Sequence, residues 1–345
     1  MAAPHVAFVV DNDAFGAPES HLLRLLRHLP PWTRRSVVVS ADVAAPFLSE
    51  FPDVRVVPGS RGRLWATEIR AVLGELAPDL VHVNLADQAS NLATLRAAGD
   101  AAPVAATLHA RTGPRPRDVG DVYRRLACAI APTHGLVREL NGLGALHTAL
   151  IRPGVEIPGR PVSPLPRTPV VLGAVGPLVA GQGADLLLQA VAGLRRRGRA
   201  VQVLVAGDGP DRAALIDRAR GLPVRFSGQV GELASFVRRL DVCYVPAVED
   251  LSVTALDVMA YGLPCVTTAV GDTTNALAGA ATIVPPRDVI ALTGALDRLV
   301  TGAALRAKLS RAGRTRVARD FDIRRTAEET ARLFLSISDG WSAAG

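Results

Sequence analysis

Lysine and aromatic residues are both scarce in this 345-residue chain. Lys308 is the only lysine, so the formal charge of +7 is carried almost entirely by arginine. The arginines are scattered along the sequence, and aromatic residues make up only 4% of it, too few to build a stacking platform for nucleic-acid bases. The composition therefore argues against nucleic-acid binding.

Cysteine is scarce as well, and long apolar runs are absent. The three cysteines sit in apolar segments without metal-ligand spacing, which favours buried thiols in a reducing compartment and no metal site. Met1–Val10 lacks the character of a secretion signal, and no run reaches the ~20 apolar residues of a membrane helix. These absences predict a cytoplasmic protein. The one candidate for peripheral membrane contact is a helix over about Pro18–Leu29, which carries basic residues.

A full Gly-x-Gly-x-x-Gly fingerprint is also missing, which argues against a dinucleotide dehydrogenase. Short apolar runs alternate with helical segments through the first part of the chain, and the alternation restarts at Val170. Between the two series, Ile157–Pro169 holds five prolines and no periodicity. The pattern predicts an α/β protein with two Rossmann-like domains, at 1–156 and 170–320, a linker at 157–169, and a C-terminal helical segment at 321–345.

The stretch Cys243–Thr267 indicates a strand, a loop, a helix and a second strand. Ser252 can cap the helix, and Gly262 can end it. Glu249 in the loop and Asp257 in the helix stand eight positions apart, so both could reach a ligand at the helix N-terminus. Carboxylates suit ligand hydroxyl groups, although two solvated surface charges would give the same pattern.

This stretch resembles the retaining glycosyltransferases of family 4, which have the GT-B fold and a Glu-(seven residues)-Glu signature. The Met-Ala-x-Gly-x-Pro tail matches, whereas the family's Gly-Phe-Gly is replaced by Asp250, Leu251 and Ser252. The resemblance implies that Glu249 binds the donor sugar, that Asp257 binds the nucleotide ribose, and that the three substituted residues lie beside the donor. It also implies two domains facing across a cleft, with a last helix over Asp322–Leu335 that returns to the first domain.

The first domain carries three further likenesses to that family. Phe15–His21 resembles Phe-Gly-Gly-Ala-Glu-x-His, which places Gly16 and Ala17 near the donor diphosphate. Ala17 replaces a glycine, so the backbone can approach only if this position needs no positive φ; a simple connecting turn is the alternative. His109 ends a predicted strand, and the resemblance implies that it lies beside the sugar and holds the reacting centre. A neighbouring Pro-Asp-Val-Val-His-Val-His likeness has Asn84 in place of its second histidine.

The resemblance breaks at the donor phosphates. Family members hold them with Gly-Arg-x-x-x-x-Lys-Gly, whereas Pro177 and Gln182 take the two cationic positions here. Each charge-assisted phosphate contact contributes roughly 1.5 to 3 kcal/mol, so the loss is substantial. Asp250 adds a negative charge in the same region.

Three interpretations follow. In the first, the protein is a retaining, metal-independent glycosyltransferase without a cofactor, and Arg111, Arg152 and Arg287 meet the phosphates of an activated, nucleotide-diphosphate donor. In the second, the donor is a sugar phosphate, phosphoribosyl diphosphate or a lipid-linked phosphate. In the third, the chain is a non-catalytic partner of another enzyme. For the acceptor, polar first-domain loops favour a small hydrophilic molecule; those loops are 11–16, 61–65, 84–91 and 111–118.

Overall fold

The computed structural model describes residues 3–58, 63–90, 92–111, 116–162 and 167–342. The chain forms two compact units. Unit 1 comprises Met1–Gly154 together with Ile323–Gly345, and unit 2 comprises Val155–Asp322.

Unit 1 is built on a parallel sheet of seven strands in the order β3-β2-β1-β4-β5-β6-β7. The strands are β1 His5–Val10, β2 Arg34–Ser40, β3 Arg55–Val57, β4 Leu80–Leu85, β5 Val104–Leu108, β6 Cys128–Ala131 and β7 Thr148–Leu150. The helices are α1 Ala17–His28, α2 Ala44–Leu48, α3 Arg63–Leu76, α4 Leu92–Gly99, α5 Val119–Arg124, α6 His134–Gly142 and, from the chain's end, α14 Ile323–Ser342. The strand order reverses direction between β1 and β4.

Both faces of this sheet are covered, which is why β1 and β4 are buried along their whole length. Side chains alternate between the faces: Phe8 and His82 point to the side of α1 and α14, whereas Ala7 and Val9 pack in the cluster on the other side. Phe334 of α14 lies edge-on to Phe8, with ring centroids 5.9 Å apart. The C-terminal helix therefore packs on α1 and β4 as part of unit 1.

Unit 2 repeats this architecture with a parallel sheet of six strands in the order β10-β9-β8-β11-β12-β13. The strands are β8 Val170–Val175, β9 Val201–Ala206, β10 Val224–Gly228, β11 Val242–Tyr244, β12 Cys265–Thr268 and β13 Thr282–Val284. The helices are α7 Ala184–Arg196, α8 Arg212–Arg218, α9 Leu233–Val237, α10 Val253–Ala260, α11 Thr273–Leu277, α12 Val289–Thr301 and α13 Ala303–Asp320. Here the strand order reverses between β8 and β11.

The predicted fold class of two Rossmann-like α/β units is confirmed. The segment predicted as a linker, 157–169, is grouped with unit 2, and its residues 163–166 lie outside the described part. Val162 is buried there and donates its backbone N–H to the Tyr261 carbonyl at 2.7 Å. A linker role for this segment remains a prediction.

Several arginines of α13 stabilise the ends of other helices. Arg314 donates to the carbonyl of Ala260, the last residue of α10, and Arg316 to that of Ala276 in α11 at 2.9 Å. The buried Arg306 donates to Leu299 in α12 at 2.6 Å. These are favourable positions, because cations offset the negative end of a helix dipole. Among the described helices, none is both long enough and apolar enough to cross a membrane.

Candidate functional site

In unit 2 the strand order reverses between β8 and β11, and ligands of open parallel sheets bind in the crevice at such a reversal. The two loops that meet there are 176–183, after β8, and 245–252, after β11. They are in contact: a Cβ on Gly183 would lie 2.9 Å from the Tyr244 hydroxyl and 3.0 Å from Pro246. Gly183 has a φ of +81° and forms the N-cap of α7.

Glycines also lock the loop after β8 to the loop after β9. A Cβ on Gly207 would overlap the carbonyl oxygen of Gly176, and one on Gly209 would overlap that of Leu178. The Leu178 N–H in turn donates to the Asp208 carbonyl at 2.9 Å. Gly207 has a φ of +143°, which favours glycine in any case. The backbone of loop 176–183, which is predicted to bind the donor, is thus held in place by close contacts with the loop after β9.

The predicted donor-binding side chains of this loop carry no positive charge. Pro177 is exposed and Gln182 is half-buried. The loop leads into α7, whose 13 residues begin without a side-chain cap and have Asp185 in the first turn. Free N–H groups at such a helix start can bind an anion, although Asp185 opposes one.

The loop after β11 presents the predicted catalytic acid. Glu249 is exposed, and no described residue makes a hydrogen bond with its side chain. The Ser252 hydroxyl accepts the N–H of Ala255 at 3.3 Å and so caps α10, as predicted. Asp257 lies in the second turn of α10 and is half-buried. Glu249 therefore precedes the start of α10, and Asp257 lies about one turn inside the same helix.

Asp250 is engaged by backbone groups. Its Oδ1 accepts the N–H of Leu251 at 2.9 Å and that of Asp272 at 2.7 Å, which ties the loop after β11 to the loop after β12. Gly271, with a φ of +49°, lets the second loop come this close, because a Cβ there would overlap the Asp250 carboxylate. The extra acid predicted to repel a phosphate thus also braces two loops.

In unit 1 the corresponding reversal lies between β1 and β4, and polar side chains gather at the carboxyl ends of these strands. His109 follows β5, and its backbone N–H donates to the Leu85 carbonyl at 3.1 Å. Its Nε2 lies 2.8 Å from Oδ1 of Asn84. Because a carbonyl oxygen only accepts, Nε2 carries the proton and Nδ1 is left as an acceptor.

Two further histidines accompany His109. The His21 ring on α1 lies edge-on to it, with centroids 5.3 Å apart, and His82 on β4 bonds Thr107 Oγ1 through Nε2 at 2.8 Å. Burial is the main cause that lowers the pKa of His21 to about 4 and that of His82 to about 3. Burial, followed by the two neighbouring histidines, also holds the pKa of His109 well below its usual value. The cluster is therefore neutral at pH 7.

Sequence reasoning misses His21 and His82 as site residues, although both stand in the motifs that resemble family 4. A usable signal is present in the strands themselves. Residues 82 and 84 of one strand share a face, and so do 107 and 109 along the next.

The loop after β1 is held by a buried acid. Glu19, only 1% exposed, accepts the N–H of Gly16 at 2.8 Å through Oε2, and the Asn12 side-chain amide donates to Oε1. Among the described residues other than glycine, positive φ occurs only at Ala77 and Arg287. Ala17 therefore has a negative φ, which is the condition under which alanine can replace the glycine of the family motif. Gly16 and Ala17 are exposed, at and just after the N-cap of α1.

The three arginines predicted to meet the phosphates are dispersed. Arg111 and Arg152 belong to unit 1; the first is exposed, and the second offers its carbonyl to Thr326 Oγ1 at 3.0 Å. Arg287 is exposed in unit 2 after β13, the edge strand, which is two strands away from β11. Of the predicted acceptor loops, residues 61–62, 91 and 112–115 lie outside the described part of the chain. Their described part includes two exposed apolar residues, Phe15 and Leu64.

Comparison with known proteins finds a family match in unit 2 and relatives that cover part of the chain. Residues 169–302 match the family model described as "Glycosyl transferases group 1". The chain is 32% identical over 215 residues to a glycogen synthase of Mycobacterium tuberculosis, covering 59% of this chain and 52% of the relative. It is 33% identical over 176 residues to a D-inositol 3-phosphate glycosyltransferase of Stackebrandtia nassauensis, covering 46% of this chain and 40% of the relative. The chain thus spans about half the length of such relatives or less.

Solved structures match over almost the whole chain. The Anabaena HepE structure in complex with UDP superposes with a TM-score of 0.83 at 17% identity, covering 96% of this chain and 100% of the other. Sucrose-phosphate synthase from Thermosynechococcus elongatus gives a TM-score of 0.78 at 19% identity, covering 98% and 100%. At these identities the likeness shows the fold, which is the GT-B fold.

Proposed function

We propose that this GT-B chain, related through residues 169–302 to the group 1 glycosyltransferases, transfers a sugar from an activated donor to a small hydrophilic acceptor with retention of configuration. The observation that carries the proposal is the exposed Glu249 beside the capped start of α10, at the strand-order reversal of unit 2. A carboxylate in that place can accept hydrogen bonds from sugar hydroxyls, and the helix N-terminus can face the departing phosphate.

The proposed reaction uses Glu249 and His109. As the bond from the anomeric carbon to the donor phosphate breaks, the acceptor oxygen forms a bond to that carbon on the same face. The departing phosphate takes the acceptor proton. Glu249 holds the donor sugar, while the neutral His109 orients sugar and acceptor, with its Nδ1 able to accept a hydrogen bond. The transfer is proposed to need no metal and no cofactor.

The leaving-group charge must be met without the expected cations. The first turns of α7 and α10 offer backbone N–H groups, to which Arg111, Arg152 or Arg287 would add positive charge. The HepE complex contains UDP, which supports a nucleotide donor for this fold. The uncharged Pro177 and Gln182 specifically favour a second candidate, a transferase whose donor is a sugar phosphate, phosphoribosyl diphosphate or a lipid-linked phosphate.

A donor screen tests the proposal. Labelled nucleotide sugars, sugar phosphates and phosphoribosyl diphosphate are incubated with a panel of small polyols, with and without a chelator, and the product anomer is assigned by NMR. Nucleotide binding is measured in parallel by thermal shift, because a ligand at one hundred times its Kd stabilises by about 2.7 kcal/mol. We expect turnover with a nucleotide sugar, retention, and no effect of the chelator.

Each contrary result has a distinct meaning. An inverted product or activity lost to the chelator overturns the mechanism. Turnover only with donors that lack a nucleotide supports the second candidate. No turnover and no thermal shift with any donor would instead favour a non-catalytic partner protein.

A further inference from the structure

Two buried amide side chains lie at the carboxyl ends of β1 and β4 in unit 1. Each has one atom without a hydrogen-bond partner among the described residues. Oδ1 of Asn12 and Nδ2 of Asn84 are both enclosed and unbonded, and the residues are 3% and 1% exposed. Buried polar atoms are nearly always bonded, so an orphan of this kind calls for a physical reason.

Each amide uses its other atom in a hydrogen bond. Asn12 donates its Nδ2 to the Glu19 carboxylate, so its Oδ1 must face away from that acid. Asn84 uses Oδ1 to accept from His109 Nε2 at 2.8 Å, so its Nδ2 is the atom left over. The orphans are therefore one acceptor and one donor.

The two amides lie on the same face of neighbouring strand ends. Val9 of β1 pairs with Val83 of β4, which places Asn84 opposite Val10. Val10 packs with α1, and Asn12 bonds Glu19 of that helix, so both amides point to the α1 side. This is the point where the strand order reverses, beside His109.

We infer that Asn12 Oδ1 and Asn84 Nδ2 form a subsite for one hydroxyl group of a polyol, which would donate to the first atom and accept from the second. A hydroxyl suits the pair because it is both donor and acceptor, whereas a phosphate oxygen cannot donate to Asn12. The inference rests on the proposed function and assigns this hydroxyl to the acceptor. Both atoms are enclosed, so a hydroxyl can reach them only when neighbouring residues move.

The experiment uses myo-inositol and a set of monosaccharides, each compared with its singly deoxygenated analogues by calorimetry and thermal shift. A site built around a hydroxyl rejects the analogue that lacks it. We expect loss of one particular hydroxyl to weaken binding by about tenfold to a hundredfold, and loss of the others to have little effect.

The matched variant is Asn84→Asp, which keeps the oxygen that accepts from His109, replaces the orphan donor with a second oxygen and adds a negative charge. It should bind the parent polyol about as weakly as the unaltered protein binds the critical deoxy analogue. Asn141→Asp, on an exposed residue of α6, is the control for the added charge and should bind normally.

Equal small losses for every deoxy analogue, or unchanged discrimination in a folded Asn84→Asp protein, would overturn the subsite. If that variant does not fold, the deoxy series on the unaltered protein decides alone. If no polyol binds at all, the subsite is also overturned. Donor binding and turnover are measured separately, and they show whether the proposed function stands.

Discussion

The carboxylate of Asp250 accepts the backbone N–H of Asp272 at 2.7 Å, across 22 positions of sequence. The same oxygen accepts the N–H of Leu251. Because Glu249 directly precedes Asp250, this bridge fixes the loop that carries the proposed sugar-binding acid. From sequence, the charge of Asp250 is expected to repel a phosphate. In the structure, Asp250 also stabilises the loop of the candidate site.

The first prediction separates the shape of Asp250 from its charge. Asp250→Ala removes both hydrogen bonds and should lower the free energy of unfolding by about 1 to 3 kcal/mol, with a loss of turnover because the Glu249 loop is released. Asp250→Asn keeps an acceptor oxygen and should stay close to normal in both. Urea denaturation and steady-state kinetics check this. If both variants bind donor more tightly, repulsion of phosphate is the dominant role.

The second prediction concerns the contact between the loops after β8 and β9. Gly207→Ala places a Cβ against the Gly176 carbonyl, so we expect a loss of about 2 to 4 kcal/mol together with weaker donor binding. Gly221→Ala is the control, since that glycine also has a positive φ, +76°, but open space around it. It should cost only about 1 to 2 kcal/mol and leave donor binding intact. Equal costs would mean that backbone strain alone, without the clash, explains the effect.

Sequence was most informative where one local rule decides the structure. Buried parallel strands must be almost wholly apolar, so the strand series and its restart at Val170 could be recognised directly. Ser252 and Gly262 determine the start and the end of α10 through local interactions. Ser252 caps the helix, and Gly262 follows it with a φ of +79°. The last helix, α14, runs from Ile323 to Ser342, inside the helical segment expected at 321–345.

Sequence was least informative where a residue's role depends on a distant partner. The bridge from Asp250 to Asp272 needs a second loop whose approach depends on Gly271. The contact of His21 with His109 joins α1 to the end of β5, elements that only the tertiary fold brings together. The orphan atoms of Asn12 and Asn84 are visible only after every other hydrogen bond is assigned.

The third prediction follows from the neutral histidine cluster. The folded-state pKa values of His21 and His82 lie below the unfolded value of 6.5, so the unfolded chain binds more protons once the pH falls below about 6.5. The free energy of unfolding should keep its full value above that pH. Toward pH 4 it should fall by about 1.4 kcal/mol per pH unit for each such histidine. His109 and the buried His5, whose pKa is also lowered, act in the same direction.

Urea denaturation between pH 7 and pH 4.5 checks this, with His21→Phe as the matched variant because it keeps an aromatic ring against His109. Its stability should fall less steeply with acid, by about 1.4 kcal/mol per pH unit. Equal slopes for the two proteins would show that His21 titrates normally in the folded state.

The last prediction tests the proposed catalytic acid. Glu249→Gln preserves the shape of the side chain but removes the charge that holds sugar hydroxyls, so we expect turnover to fall about a hundredfold or more. Because Glu249 is exposed and unbonded among the described residues, the free energy of unfolding should not change measurably. Asp257→Asn should chiefly raise the donor KM, since contact with a ribose stabilises ground and transition states alike. Glu75→Gln, an exposed change on α3, is the control and should leave kcat and KM unaltered. A folded Glu249→Gln protein with normal turnover would remove Glu249 from the mechanism.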